Sequence, residues 1–156
     1  MRNEAEAGRA VAKYADTVRR ICFMHLKNYH DVEDVFLKYV LYEGIFESDV
    51  HEKAWLIRVS INSCKDVLKS FFRRKVLSLE DVNTELFYIS QEKREILDAV
   101  LKLPEKYRDV IYLFYYEGYT AVEIAKILSK NENTIYTWLS RAKSKLKDKL
   151  GGEHLD

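Results

Sequence analysis

Apolar positions recur at three- and four-residue spacing along nearly the whole chain, the period of one face of an α-helix. The pattern predicts an all-α protein. Residues 5–27 read as a first helix with Val11, Tyr14, Val18 and Ile21 on one side and Arg9, Lys13, Arg19 and Arg20 elsewhere. A turn at 28–30 precedes Asp31, a predicted cap for a second helix, DVEDVFLKYVLY. Glu33 and Asp34 fall in its first turn, beside the positive end of the helix dipole. Gly44 stops it. The loop EGIFESDVHE leads to a long third helix from about Lys53 to Arg74, in which Ala54, Ile57, Ile61, Cys64, Leu68 and Phe71 share a face. Another face of that helix is a basic-polar stripe of Arg58, Asn62, Lys65, Lys69 and Arg73, bordered by Trp55 and Val59.

Residues 76–91 lack a clean period and read as a linker, with Leu79, Val82, Leu86 and Phe87 able to dock on a neighbour. A helix follows from Glu92 to Leu103, with Ile96, Val100 and Leu103 on one side. Pro104 opens the next, which buries Tyr107, Val110, Ile111 and Phe114 before Gly118 ends it. The final pattern is sharper. Thr120 and Glu123 have capping-box spacing, and Ile124, Ala125 and Leu128 give a short apolar face. Ser129-Lys130-Asn131 interrupts it, and Asn131 is placed to cap a last helix that buries Ile135, Leu139, Ala142 and Leu146. Two short helices around a tight turn, the second polar outside and basic at its end, describe a helix-turn-helix suited to the DNA major groove. Its candidate duplex-reading residues are Asn133, Thr134, Tyr136, Thr137, Ser140 and Arg141, with Lys143 and Lys145 for phosphates. The same pattern also fits an ordinary amphipathic hairpin with a solvated lysine face.

The 156 residues accommodate one ordinary domain or two small helical ones. Net charge is only +1, but its distribution is uneven. From Lys53 to Lys75 there are seven basic residues against one acid, and from Arg141 to Lys149 five against one, with a region acidic on balance between them. Two basic islands suggest two contact points on a polyanion. Cys22 and Cys64, the two cysteines, lie within apolar helical patterns and read as buried, reduced thiols. With no apolar run long enough to span a bilayer and no signal-peptide core, a cytoplasmic location without membrane insertion is expected.

Three stretches together resemble the extracytoplasmic-function (ECF) group of bacterial RNA polymerase sigma factors, over residues 10–150. DVEDVFLKYV is similar to the acidic start of sigma region 2, and HEKAWLIRVSINSCKDVLKSF to its tryptophan-led helix. LPEKYRDVIYLFYYEGYTAVEIAKILSKNENTIYTWLSRAKSKLK is similar to region 4. The resemblance implies a region 2 domain at 5–75 for core polymerase and the minus-ten element, a linker at 76–91, and a region 4 domain at 92–150 for the minus-thirty-five element. It implies core RNA polymerase and promoter DNA as partners, an anti-sigma protein as a further one, and no catalysis by the chain itself. The loop EGIFESDVHE corresponds to the segment that captures a flipped base. Phe46 is the candidate wall of that pocket, with Trp55, Arg58, Asn62, Lys65 and Lys69 along the melted strand.

The second helix departs from the family pattern as though four residues were absent after Phe36. No Gln follows there, which leaves Asp31, Glu33 and Asp34 as the polymerase-binding candidates. Ser129 stands where the family often has a turn glycine. Three rival readings compete: a helix-turn-helix regulator that acts without polymerase, a nuclease using Asp31, Glu33 and Asp34, and a metal site from Cys22, His25 and His30. The acids sit where helix starts favour acids, and the Cys/His spacing matches no four-ligand set, so neither metal nor another cofactor is expected.

Overall fold

The computed structural model describes residues 1–26, 29, 31–70 and 94–150, with no side-chain description at 69 and 70. The expected linker at 76–91, together with Phe71, Arg73 and His30, lies outside the described residues. The chain divides into two compact units, Met1–Phe87 and Tyr88–Asp156. Among the described residues every regular element is helical.

The front unit packs α1 (Glu4–Leu26), α2 (Val32–Leu41) and α3 (Asp49–Ser70) around one core. Ala10, Tyr14, Val18 and Cys22 from α1 meet Val35, Phe36 and Tyr39 from α2 and Leu56 and Cys64 from α3. Val11, expected inside, is exposed, and Ala10 takes its place because the Tyr14–Val18–Cys22 stripe continues backwards in steps of four. Arg20, expected outside, is buried and donates to the Thr17 hydroxyl at 3.2 Å. The third helix starts earlier than the sequence pattern suggested. Ser48 holds its first turn, its Oγ accepting from the His51 N–H at 3.1 Å, which adds Asp49 to Glu52 to the helix. Asp31 stands at the cap position of α2 but makes no side-chain capping bond. The buried side of this short α2 is Val35, Phe36 and Tyr39.

The rear unit contains α4 (Arg94–Leu101), α5 (Glu105–Ile111), a π-turn (Tyr112–Tyr116), α6 (Ala121–Leu128) and α7 (Glu132–Leu150). The π-turn corrects one core assignment. A Glu117 N–H to Tyr112 C=O bond spans five residues, adding one residue to the turn and rotating the positions after it. Leu113 is buried in consequence, and Phe114, expected in the core, is exposed. Gly118 then adopts φ +81°, a conformation that costs glycine little and other residues more.

Candidate nucleic-acid interface

The helix-turn-helix is assembled by local contacts. The Thr120 hydroxyl accepts from the Glu123 N–H at 3.1 Å, and the Glu123 carboxylate accepts from the Thr120 N–H at 2.9 Å, completing the capping box. At the far end of α6, Ser129 takes a left-handed conformation, φ 55° and ψ 46°. The Ser129 N–H donates to the Lys126 carbonyl at 3.3 Å, and the Lys130 N–H to the Ala125 carbonyl at 2.9 Å, the paired bonds of a Schellman stop. Asn131 then caps α7, its Oδ1 accepting from the Thr134 N–H at 2.8 Å.

Helix α7 buries Ile135, Leu139, Ala142 and Leu146, the four residues expected. Its opposite face, Asn133, Tyr136, Thr137, Ser140 and Arg141, is exposed, and Thr134 at its margin is half-buried. At 100° per residue, Lys143 and Lys145 fall on opposite flanks of this strip. The Lys143 Nζ lies 5.9 Å from the Tyr115 ring and the Lys145 Nζ 6.0 Å from that of Tyr107. A polar strip with a cation on each flank matches a groove floor lined by base edges between two phosphate backbones.

The front unit holds a different construction. Tyr39, Tyr42, Phe46 and Trp55 form an aromatic cluster in which Phe46 is 6.0 Å from Tyr39, 5.6 Å from Tyr42 and 5.6 Å from Trp55, centroid to centroid. The Arg2 guanidinium covers Tyr39 at 4.7 Å and Phe46 at 4.8 Å, and donates to the carbonyls of Tyr42 and Gly44. Below it, Glu52 is only 4% exposed and accepts from the Tyr39 hydroxyl at 2.7 Å and from Arg9 at 2.8 Å. Burial pushes the Glu52 carboxyl up, but those two donors outweigh it and hold the group below the ordinary glutamate range. The bond to Glu52 raises Arg9 in turn. Together Arg2, Arg9, Phe46 and Glu52 help to line a cleft of about 630 Å³ beside the 43–48 loop.

Phe46 lines this cleft and is half-buried among other rings. Trp55 is also half-buried, packing against the core as well as bordering the stripe. Arg58 and Asn62 are exposed and Lys65 is half-buried along the same side of α3, while the side chain of Lys69 lies outside the described residues. Arg2, Arg9, Tyr39, Tyr42 and Glu52 were not singled out from the sequence. One signal did exist: Glu52 is spaced four residues before Leu56 on the buried stripe, but it counts only once the helix is known to begin at Asp49.

Of the polymerase-binding candidates, Glu33 and Asp34 are exposed, and Asp34 pairs with Lys38 at 3.4 Å. Asp31 requires correction. It is 8% exposed, and burial raises its carboxyl above the ordinary aspartate range, with Asp34 adding to the effect. A side chain so enclosed is not a surface contact. Leu37 and Leu41 complete the exposed side of α2, at 54% and 56% exposure.

Comparison with known proteins agrees with this geometry. Residues 93–146 match the family described as Sigma-70, region 4. The chain is 28% identical over 158 residues to the ECF RNA polymerase sigma factor SigW of Bacillus subtilis (strain 168), covering 88% of this chain and 84% of that protein. It is 25% identical over 144 residues to RNA polymerase sigma factor SigV of the same organism, covering 87% and 86%. Its fold is similar to the sigma factor RpoE solved with the anti-sigma factor NepR from Bartonella quintana, with TM-score 0.67 and 18% identity over 94% of this chain and 98% of that one. The helix-turn-helix and the region 4 match give residues 93–146 the character of a sigma-70 region 4, and the relatives matched along the chain are RNA polymerase sigma factors. Within that class the chain is similar to members of the ECF group, SigW among them. The likeness to these relatives runs through both units, which disfavours a stand-alone helix-turn-helix regulator. Among the described residues no helix is long and apolar enough to cross a membrane.

Proposed function

We propose that the two units divide promoter recognition, with a region 2 domain at 5–75, a linker at 76–91 and a region 4 domain at 92–150. The exposed strip of α7 reads duplex DNA at the minus-thirty-five element through Asn133, Thr134, Tyr136, Thr137, Ser140 and Arg141. Lys143 and Lys145 neutralise phosphates on either side. The front unit holds the melted strand: the cleft behind the 43–48 loop takes a flipped base against Phe46, and Arg58, Asn62, Lys65 and Lys69 follow the backbone from Trp55 onward. The single observation that carries this reading is the polar, exposed and cation-flanked face of α7 opposite an unbroken apolar stripe.

Core polymerase docks on the exposed side of α2. Glu33 and Asp34 supply charge there, and Leu37 and Leu41 supply apolar area that makes up for the missing polar residue after Phe36. The chain performs no chemistry of its own and acts in the cytoplasm, where the polymerase is. The solved relatives RpoE and CnrH were captured with NepR and with the cytosolic domain of CnrY. An anti-sigma protein of this kind is the expected inhibitor. Run-off transcription with purified core polymerase tests the proposal. The chain directs promoter-dependent transcripts, and Leu37→Asp/Leu41→Asp loses them while still binding promoter duplex. Transcription unaffected by that double substitution overturns the α2 docking face.

A further inference from the structure

Cys22 lies in α1, Asp31 at the start of α2 and Cys64 in α3, so nothing in their sequence spacing suggests a common site. The fold brings them together. Both Sγ atoms and one Asp31 carboxylate oxygen lie within 4.8 Å of one another. Both cysteines have essentially no exposed surface, and neither is in a disulfide. Asp31 adds an independent observation: it is nine-tenths buried, and its Oδ2 has no hydrogen-bond partner. An acceptor taken out of water with nothing to accept costs about 1–3 kcal/mol, so such an atom calls for an explanation. Its failure to cap α2 sharpens the question, because the nearby helix N–H groups would have satisfied it.

We propose that Cys22, Cys64 and Asp31 form an interior site for a thiophilic divalent cation, with zinc the best fit. Two thiolates and a carboxylate are a donor set that zinc accepts, and a water or the second Asp31 oxygen completes four-coordination. The fit is geometric as well as chemical. Zinc–sulfur bonds of about 2.3 Å at tetrahedral angles place ligand atoms about 3.8 Å apart. The three donors, already within 4.8 Å of one another, therefore need to close by roughly 1 Å. Entry of the cation releases the two thiol protons and gives the buried carboxylate a positive partner. Because each ligand comes from a different helix, the bound ion ties α1, α2 and α3 at one point of the front unit.

The test uses the full chain, purified under reducing conditions and stripped with chelator, then titrated with Co²⁺ and with Zn²⁺. Cobalt is expected to give a thiolate-to-metal charge-transfer band that saturates at one ion per chain. Zinc is expected to displace it, slow alkylation of both cysteines and raise the melting temperature. Asp31→Asn, which keeps size and shape, is expected to weaken cobalt binding by roughly tenfold or more with the helical circular dichroism unchanged. Cys22→Ser and Cys64→Ser should each abolish the band. Should a variant fail to fold, the alkylation rates of the unmodified chain with and without zinc still decide. Absence of the band in the folded chain overturns the site. So does binding that survives in Cys22→Ser/Cys64→Ser, or zinc that leaves alkylation unchanged.

Discussion

The rear helix-turn-helix and the front aromatic cleft solve the same problem, presenting a defined surface to DNA, by opposite means. The rear is held by neighbours in sequence: Thr120 with Glu123, Ser129 with Lys126, and Asn131 with Thr134. The front is held by residues remote in sequence, Arg2 reaching across 40 residues to Tyr42 and Arg9 across 43 to Glu52. A surface built from local bonds reforms with its own helix. One built from long-range bonds exists only when its whole unit is folded, because the loop-closure entropy is offset only once the distant partners meet.

The largest effect should come from the front. Glu52→Ala removes the acceptor for the buried Tyr39 hydroxyl and for Arg9, and should destabilise the front unit by about 2–3 kcal/mol in urea unfolding. Loss below about 1 kcal/mol would show that the rings alone hold the cleft. The same carboxylate gives the front a pH signature. Its folded pKa is depressed, so its contribution is fully present above the ordinary glutamate value, about 4.3, and is lost as pH falls through the lower folded value. Glu52→Gln should flatten that acid limb of the front unit's stability and leave the rear unit's unchanged.

Next in size is the rear cap. Thr120→Ala breaks one half of the capping box and should cost about 1 kcal/mol, confined to the rear transition. Arg141→Ala or Lys145→Ala should leave stability alone but weaken duplex binding, lowering the slope of log affinity against log salt by about 1. Unchanged slopes in both variants would remove this face from the interface. The smallest expected change is a gain. Ser129→Gly relieves a left-handed serine and should stabilise the rear by roughly 0.5–1 kcal/mol, with DNA binding intact.

The same contrast explains what could be read early. Both caps of the helix-turn-helix and the Ile135–Leu139–Ala142–Leu146 stripe were legible from spacing alone, since a helix repeats its environment every three or four residues. Phe114 was misplaced because a π-turn leaves no period of its own and shifts the register by one residue. Asp31 was misread as a surface acid because helix starts attract acids whether or not the fold later covers them. Glu52, Arg2 and Arg9 were invisible for the reason that makes them matter, since each partner lies in another element.

By itself, then, the chain's order of residues determined the helices, the stops between them and the exposed strip of α7, all of which depend on interactions within about one helical turn. The packing of three helices decided the rest: it gathered four rings and two arginines over Glu52, and it brought Cys22, Cys64 and Asp31 to one point. Such meetings depend on the direction in which each helix leaves its turn, and a small change there moves the far end of a helix by a residue's width.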